Sequence, residues 1–367
     1  MKNVKLFYLK NCPFCKKAIG YIDALRGFTM ILVIFSHIPI SSQSDINQVF
    51  ILFRMPLFFF ISGFISFRRE QSWSGADTLS RLRGKVRTMI LPATLVGLIY
   101  TLAYNQVYDP VPITDLFTRT TKMGYWFTFA LFNMLFIYYT ARYLAERKRA
   151  SLESFVKWFF VLGIVCFAAL GDLSILGNFD TVLTLSRTFK YLQFFAFGAL
   201  CSYHRDTFER VVSDGTKMAT FALCFVATAW WILSSERYIE AYNLNAHYVA
   251  IFNSVLRCAT GYLGIVIVYG AFRYAGNFFS NSRFVGKPLQ FVGRNTLDVY
   301  LLHYFVLLPP MLNTIAVEHI PPVVLSIVLS IAITALSLLI SRIIRISDVM
   351  AYYLLGARDV KLNVQKS

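Results

Sequence analysis

Apolar runs about as long as a bilayer is thick recur along this chain, and that recurrence limits what it can fold into. In lipid such a run must be helical, because each backbone N–H and C=O has to be satisfied within the segment. About 20 residues cross the roughly 30 Å hydrocarbon layer. Windows of this kind fall near 21–40, 49–67, 87–105, 124–142, 153–173, 187–203, 216–234, 247–272, 288–309 and 321–342. They predict an all-α, polytopic transmembrane helix bundle of about ten helices. The stretches between them are polar or turn-forming, such as SSQSDINQ at 41–48 and DPVPITD at 109–115. Only 15% of the 367 residues are charged, against about a quarter in soluble domains. A soluble domain with one anchor is therefore excluded. The first run follows a basic N-terminus but has no small-residue cleavage site before Asp45. It reads as a retained helix rather than a secretory signal.

The net charge of +17 raises the question of nucleic acid, and the placement of the charge answers it. The N-terminus, the 68–86 loop with Arg87, 142–152, 204–217, 273–287 and the tail from Arg342 hold 26 of the 36 Lys and Arg residues. The alternate set of segments holds 5: Arg119, Lys122, Arg187, Lys190 and Arg237. Cytoplasmic loops carry the excess of Lys and Arg. The split therefore predicts both termini on the cytoplasmic side of an inner-membrane, multi-pass protein. The charge is topological, and no nucleic-acid partner is expected.

Ionisable groups inside spans are costly and are functional candidates by default. On the first helix, YIDALRGFTMILVIFSHIP, Arg26 and His37 are eleven residues apart. At helical pitch that brings both to one face, separated by roughly 16 Å along the axis. Asp23 lies one turn before Arg26 and is placed to orient it. A guanidinium at the cytoplasmic mouth suits phosphate. An imidazole farther along can take a proton from an attacking hydroxyl. A long donor with phosphates at one end and a reactive acyl group at the other would bridge the two. The plainer alternative makes Arg26 a positive-inside anchor and His37 a packing residue, and spacing alone leaves both open.

The sequence around this pair resembles the acyltransferase-3 family of membrane acyltransferases, whose first helix carries Arg, ten residues and then His. FRMPLFFFISGFISF at 53–67, RLRGKVRTMILP at 81–92, YWFTFALF at 125–132, FKYLQFFAFGAL at 189–200 and GRNTLDVYLLHYF at 293–305 are similar to further family segments, in the family's order. The resemblance covers roughly residues 20–345. It implies transfer of an acyl group, often acetyl, from cytoplasmic acyl-CoA to a hydroxyl of a cell-surface or lipid-linked glycan. Arg26 and His37 match the family's essential pair, with His37 as general base. The family's third helix opens with paired basic residues, for which Arg83 and Arg87 are the nearest match at a different spacing. They would bind the donor's phosphates together with Arg26. Acyl-CoA, with acetyl-CoA as the expected form, is then a co-substrate, and no tightly bound cofactor or metal is expected. The appended hydrolase-like domain of some relatives is not expected either. The chain divides into a cytoplasmic segment at 1–20, a transmembrane acyltransferase-like domain at 21–345 and a cytoplasmic tail at 346–367.

Other residues rank lower. Arg54 either meets an acceptor glycan or snorkels outward. Tyr300 and His303, one turn apart, either line the substrate cavity or sit in the core. Arg257 and Asp298 read as a structural ion pair, and Trp126 as an interfacial aromatic. Residues 4–17, VKLFYLKNCPFCKK, resemble the start of a glutaredoxin, but too little chain precedes the first span for that fold. Cys12 and Cys15 read as a redox-sensitive pair or as a two-ligand metal site that nothing nearby completes. Cys166, Cys201, Cys224 and Cys258 read as small apolar residues. A transporter or exporter of a glycan or small anion is the competing function. No matching halves with interrupted helices, as in inverted-repeat transporters, are evident.

Overall fold

The computed structural model describes residues 13–42, 44–69, 73–170, 177–242, 245–309 and 320–357. Among them every regular element is helical. The expectation placed on Cys12 lies outside the described residues.

Each apolar window holds a helix, shorter helices lie between the windows, and fifteen of them are numbered. They are α1 (Pro13–Phe35), α2 (Asp45–Ser66), α3 (Gly75–Lys85), α4 (Leu91–Val107), α5 (Trp126–Arg147), α6 (Leu152–Leu170) and α7 (Leu185–Tyr203). There follow α8 (Arg205–Ser213), α9 (Gly215–Tyr242), α10 (Ala246–Tyr274), α11 (Gly276–Asn281), α12 (Gly286–Arg294), α13 (Thr296–Leu307), α14 (Pro322–Ile344) and α15 (Asp348–Leu355). Among the described residues, six stretches are long and apolar enough to cross a membrane: Asp45–Ser66, Gly75–Tyr104, Leu152–Ala169, Gly215–Ser235, His247–Tyr274 and Pro322–Ile344. The protein is thus a multi-pass, all-helical membrane protein.

Three expectations need correction. The first span does not run helical to residue 40. Pro39 restricts Ile38, α1 stops at Phe35, and the hydroxyl of Ser41 donates to the Phe35 and Ile38 carbonyls. The 68–86 stretch is not all loop. Ser74 and Asp77 form a capping box that starts α3, and a π-helical turn over Val86–Ile90 joins α3 to α4. The window at 288–309 holds two helices, because the chain breaks at Asn295, and α13 has only 12 residues.

The chain forms two compact units. The first comprises Met1–Ile61, His204–Thr296 and His319–Ile327. Here α12 and α11 pack on α1, and α8 and α9 pack on α10. The α1–α12 approach is glycine on glycine. A Cβ on Gly293 would fall 1.8 Å from the Asp23 carbonyl oxygen, and one on Gly27 would fall 2.0 Å from that of Leu289. Small residues let helix backbones meet this closely in membranes. A polar tie joins α9 to α10, where Trp231 Nε1 donates to Asn253 Oδ1 and Asn253 Nδ2 to Ser235 Oγ, at 3.1 and 2.9 Å.

The second unit comprises Ser62–Tyr203, Leu297–Glu318 and Val328–Ser367. Gly163 seats α6 against the backbone of α7 at Gln193, and Gly63, near the end of α2, meets the Phe195 carbonyl. Tyr138 contacts the rings of Phe155, Phe159 and Phe195 and anchors this core. Asp298 accepts from Ser341 at 2.6 Å and from Arg345 at 2.7 Å. Its partner is therefore Arg345, just past α14, rather than Arg257. Arg257 is exposed on α10.

Candidate active site

The first unit gives Arg26 a defined seat. One Nη donates to Thr296 Oγ1 at 3.0 Å, and Asp23 Oδ1 lies 3.9 Å from Nη1. Asp23 thus lies beside the guanidinium, one turn earlier on the helix, but outside hydrogen-bond range of it. Thr296 opens α13 just beyond the break at Asn295, and Gly293 fixes the backbone beside it. Arg294 Nη1 lies 3.8 Å from the other oxygen of Asp23. Sequence reasoning missed both Thr296 and Arg294. Nothing in the chain's order brings positions 294 and 296 beside 26; the signal was the glycine adjoining each arginine.

His37 lies two residues past the end of α1, in a turn closed by its own N–H on the Ile34 carbonyl at 2.9 Å. The one-face argument therefore holds for the helix as far as Phe35, about 14 Å of rise from Arg26, and not for His37 itself. The imidazole is exposed. Arg54, on α2, donates to Asn47 Oδ1 at 3.3 Å.

A second cluster in this unit surrounds Glu209 on α8. Arg205 Nε donates to one carboxylate oxygen at 2.8 Å and Arg273 Nη2 to the other at 3.0 Å. Arg205 also reaches the hydroxyl of Tyr21, which is hydrogen-bonded to Tyr269 Oη at 3.0 Å. Burial alone would raise the Glu209 carboxyl, but the two guanidiniums outweigh it and hold it below the usual carboxylate range.

The second unit holds the other candidates. Arg83 is exposed on α3. Arg87 lies in the π-helical turn, its guanidinium 5.3 Å from the ring of Tyr352. Its Nε is buried with no hydrogen-bond partner among the described residues. Tyr300 and His303 are brought together, with ring centroids 5.9 Å apart. Both are buried and engaged by backbone. Tyr300 Oη donates to the Gly124 carbonyl at 2.8 Å and accepts from the Phe127 N–H at 3.2 Å. His303 Nδ1 bonds the Val299 and Tyr300 carbonyls, which can only accept, so Nδ1 carries the proton.

The segment that Tyr300 grips is strained. Lys122, Met123 and Gly124 have φ of 47°, 50° and 99°, which is unfavourable for the first two side chains. The buried Lys122 compensates. Its ammonium donates to the Phe117 and Thr181 carbonyls at 2.9 and 2.6 Å, while burial pushes its pKa down to about 8. Charge counting had registered Lys122 only as a loop cation.

Among the described residues no three of His, Cys, Asp and Glu gather as a metal site. Neither the curated proteins nor the solved structures give a significant match to the chain. A family model described as an acyltransferase domain matches residues 19–342, a range that includes Arg26, His37, Arg294 and Thr296. With that match over the bulk of its length, the chain belongs to the acyltransferase-3 family and is a membrane acyltransferase.

Proposed function

We propose that the protein moves an acyl group, acetyl in the simplest case, from cytoplasmic acyl-CoA to a hydroxyl of a cell-surface or lipid-linked glycan. In this reading it crosses the inner membrane ten times, with both termini cytoplasmic. His37 removes the acceptor's proton as its oxygen attacks the thioester carbonyl. The tetrahedral intermediate then collapses, expelling the coenzyme thiolate, which takes the proton back from the imidazolium. Arg26, with Arg83 and Arg87, holds the donor's phosphates. Arg54, Tyr300 and His303 serve the acceptor.

The observation that carries this reading is the seat of Arg26, in a chain whose family match takes in both Arg26 and His37. An exposed imidazole beyond a helix end is accessible to an incoming hydroxyl, as a general base must be. The test follows label from acetyl-CoA into membrane glycan. His37→Ala is expected to lower transfer by about 10²–10⁴-fold. Undiminished transfer by that variant would remove His37 from the mechanism.

A further inference from the structure

Asp23 is buried, yet its carboxylate has no hydrogen bond among the described residues. Its nearest charged groups are two guanidiniums, Arg26 Nη1 at 3.9 Å and Arg294 Nη1 at 3.8 Å. Both separations exceed hydrogen-bond length, so neither arginine has its donors engaged on the carboxylate. Arg26 directs one N–H to Thr296. Arg294, with 54% of its side chain exposed, makes no hydrogen bond among the described residues. A guanidinium has five donors, so most of the donor capacity of the pair stays open.

The backbone positions of the two arginines are set by a helix contact. Arg26 precedes Gly27 and Arg294 follows Gly293, and these are the glycines at which α1 and α12 touch. Holding two cations on one carboxylate leaves a local surplus of one positive charge. Paired planar forks with open donors match the oxygens of a phosphate or diphosphate.

We infer that Arg26 and Arg294 form a two-guanidinium cradle for a phosphate or diphosphate group, with Asp23 as the residue that positions both. This deepens the proposed function and rests on its reading of acyl-CoA as donor: Arg294 becomes a donor-binding residue. The glycine contact fixes the backbone from which each arginine springs, and the shared carboxylate of Asp23 draws both guanidiniums to one place.

The full-length protein in detergent would be assayed with acetyl-CoA and with acetyl-pantetheine, which keeps the thioester but lacks the phosphates. Arg294→Gln is expected to raise the KM for acetyl-CoA by at least about tenfold, with kcat and the KM for acetyl-pantetheine close to wild type. Arg294→Lys, which keeps the charge and loses the fork, is expected to fall between. Equal KM values for acetyl-CoA in wild type and Arg294→Gln would overturn the cradle. A rise in both KM values together would also overturn it and make Arg294 structural. A wild-type protein that neither binds nor turns over acetyl-CoA would instead overturn the donor reading itself.

Discussion

Two carboxylates in the first unit each sit between two guanidiniums, and distance separates their roles. Glu209 is hydrogen-bonded by Arg205 and Arg273 at 2.8 and 3.0 Å, whereas Asp23 keeps Arg26 and Arg294 beyond bonding range. Glu209 is therefore a fastening of α8 to α10, and its effect should appear in stability. Because its folded pKa is depressed, its contribution is fully present above the unfolded value of about 4.3. That contribution is lost as pH falls through the folded value. In detergent, Glu209→Gln is expected to be less stable at pH 7 by about 2 kcal/mol. Its melting temperature should converge on that of wild type in acid, below the range where the carboxylate ionises. A gap between the two proteins that stays constant from pH 7 to pH 3 would contradict this assignment.

At the scale of elements, the α1–α12 contact is the feature on which the Arg26 seat depends. Gly293→Ala would place a methyl carbon 1.8 Å from the Asp23 carbonyl oxygen, where only backbone movement relieves the overlap. Overpacking of this kind costs about 1–3 kcal/mol, and here it would also shift Arg26 from Thr296. At Gly84, on α3, a methyl would meet nothing within 4 Å, so Gly84→Ala serves as the matched control. Thermal unfolding and acyl transfer should both fall in Gly293→Ala and hold in Gly84→Ala; equal behaviour of the two would refute the contact's role. The positions of the helices were legible in the sequence because hydrophobic length is a strong, local signal. Their ends were less so. The stop at Phe35 depends on Pro39 and Ser41 acting together, and the break at Asn295 divides an apolar window that periodicity reads as continuous.

At the scale of the molecule, the uneven distribution of Lys and Arg predicts that reporter fusions at either terminus report the cytoplasm. Fusions after Lys122 and after Leu183 should report the opposite side. A cytoplasmic signal from the Lys122 fusion would dismantle the ten-span topology. The site was legible only in part. Arg26, Asp23 and His37 lie close together in the chain, and a short motif records them. Thr296 reaches Arg26, and Arg294 reaches Asp23, only through folding, and the glycine beside each arginine is a trace too slight to pair positions some 270 residues apart. The π-helical turn at Val86–Ile90 has a further consequence. A wide turn carries one residue more than an α-turn, so α3 and α4 are out of phase by about 100°. The side from which Arg83 projects is thereby uncoupled from the side on which α4 packs, and deleting one residue there would swing Arg83 around the helix while leaving the α4 interface in place.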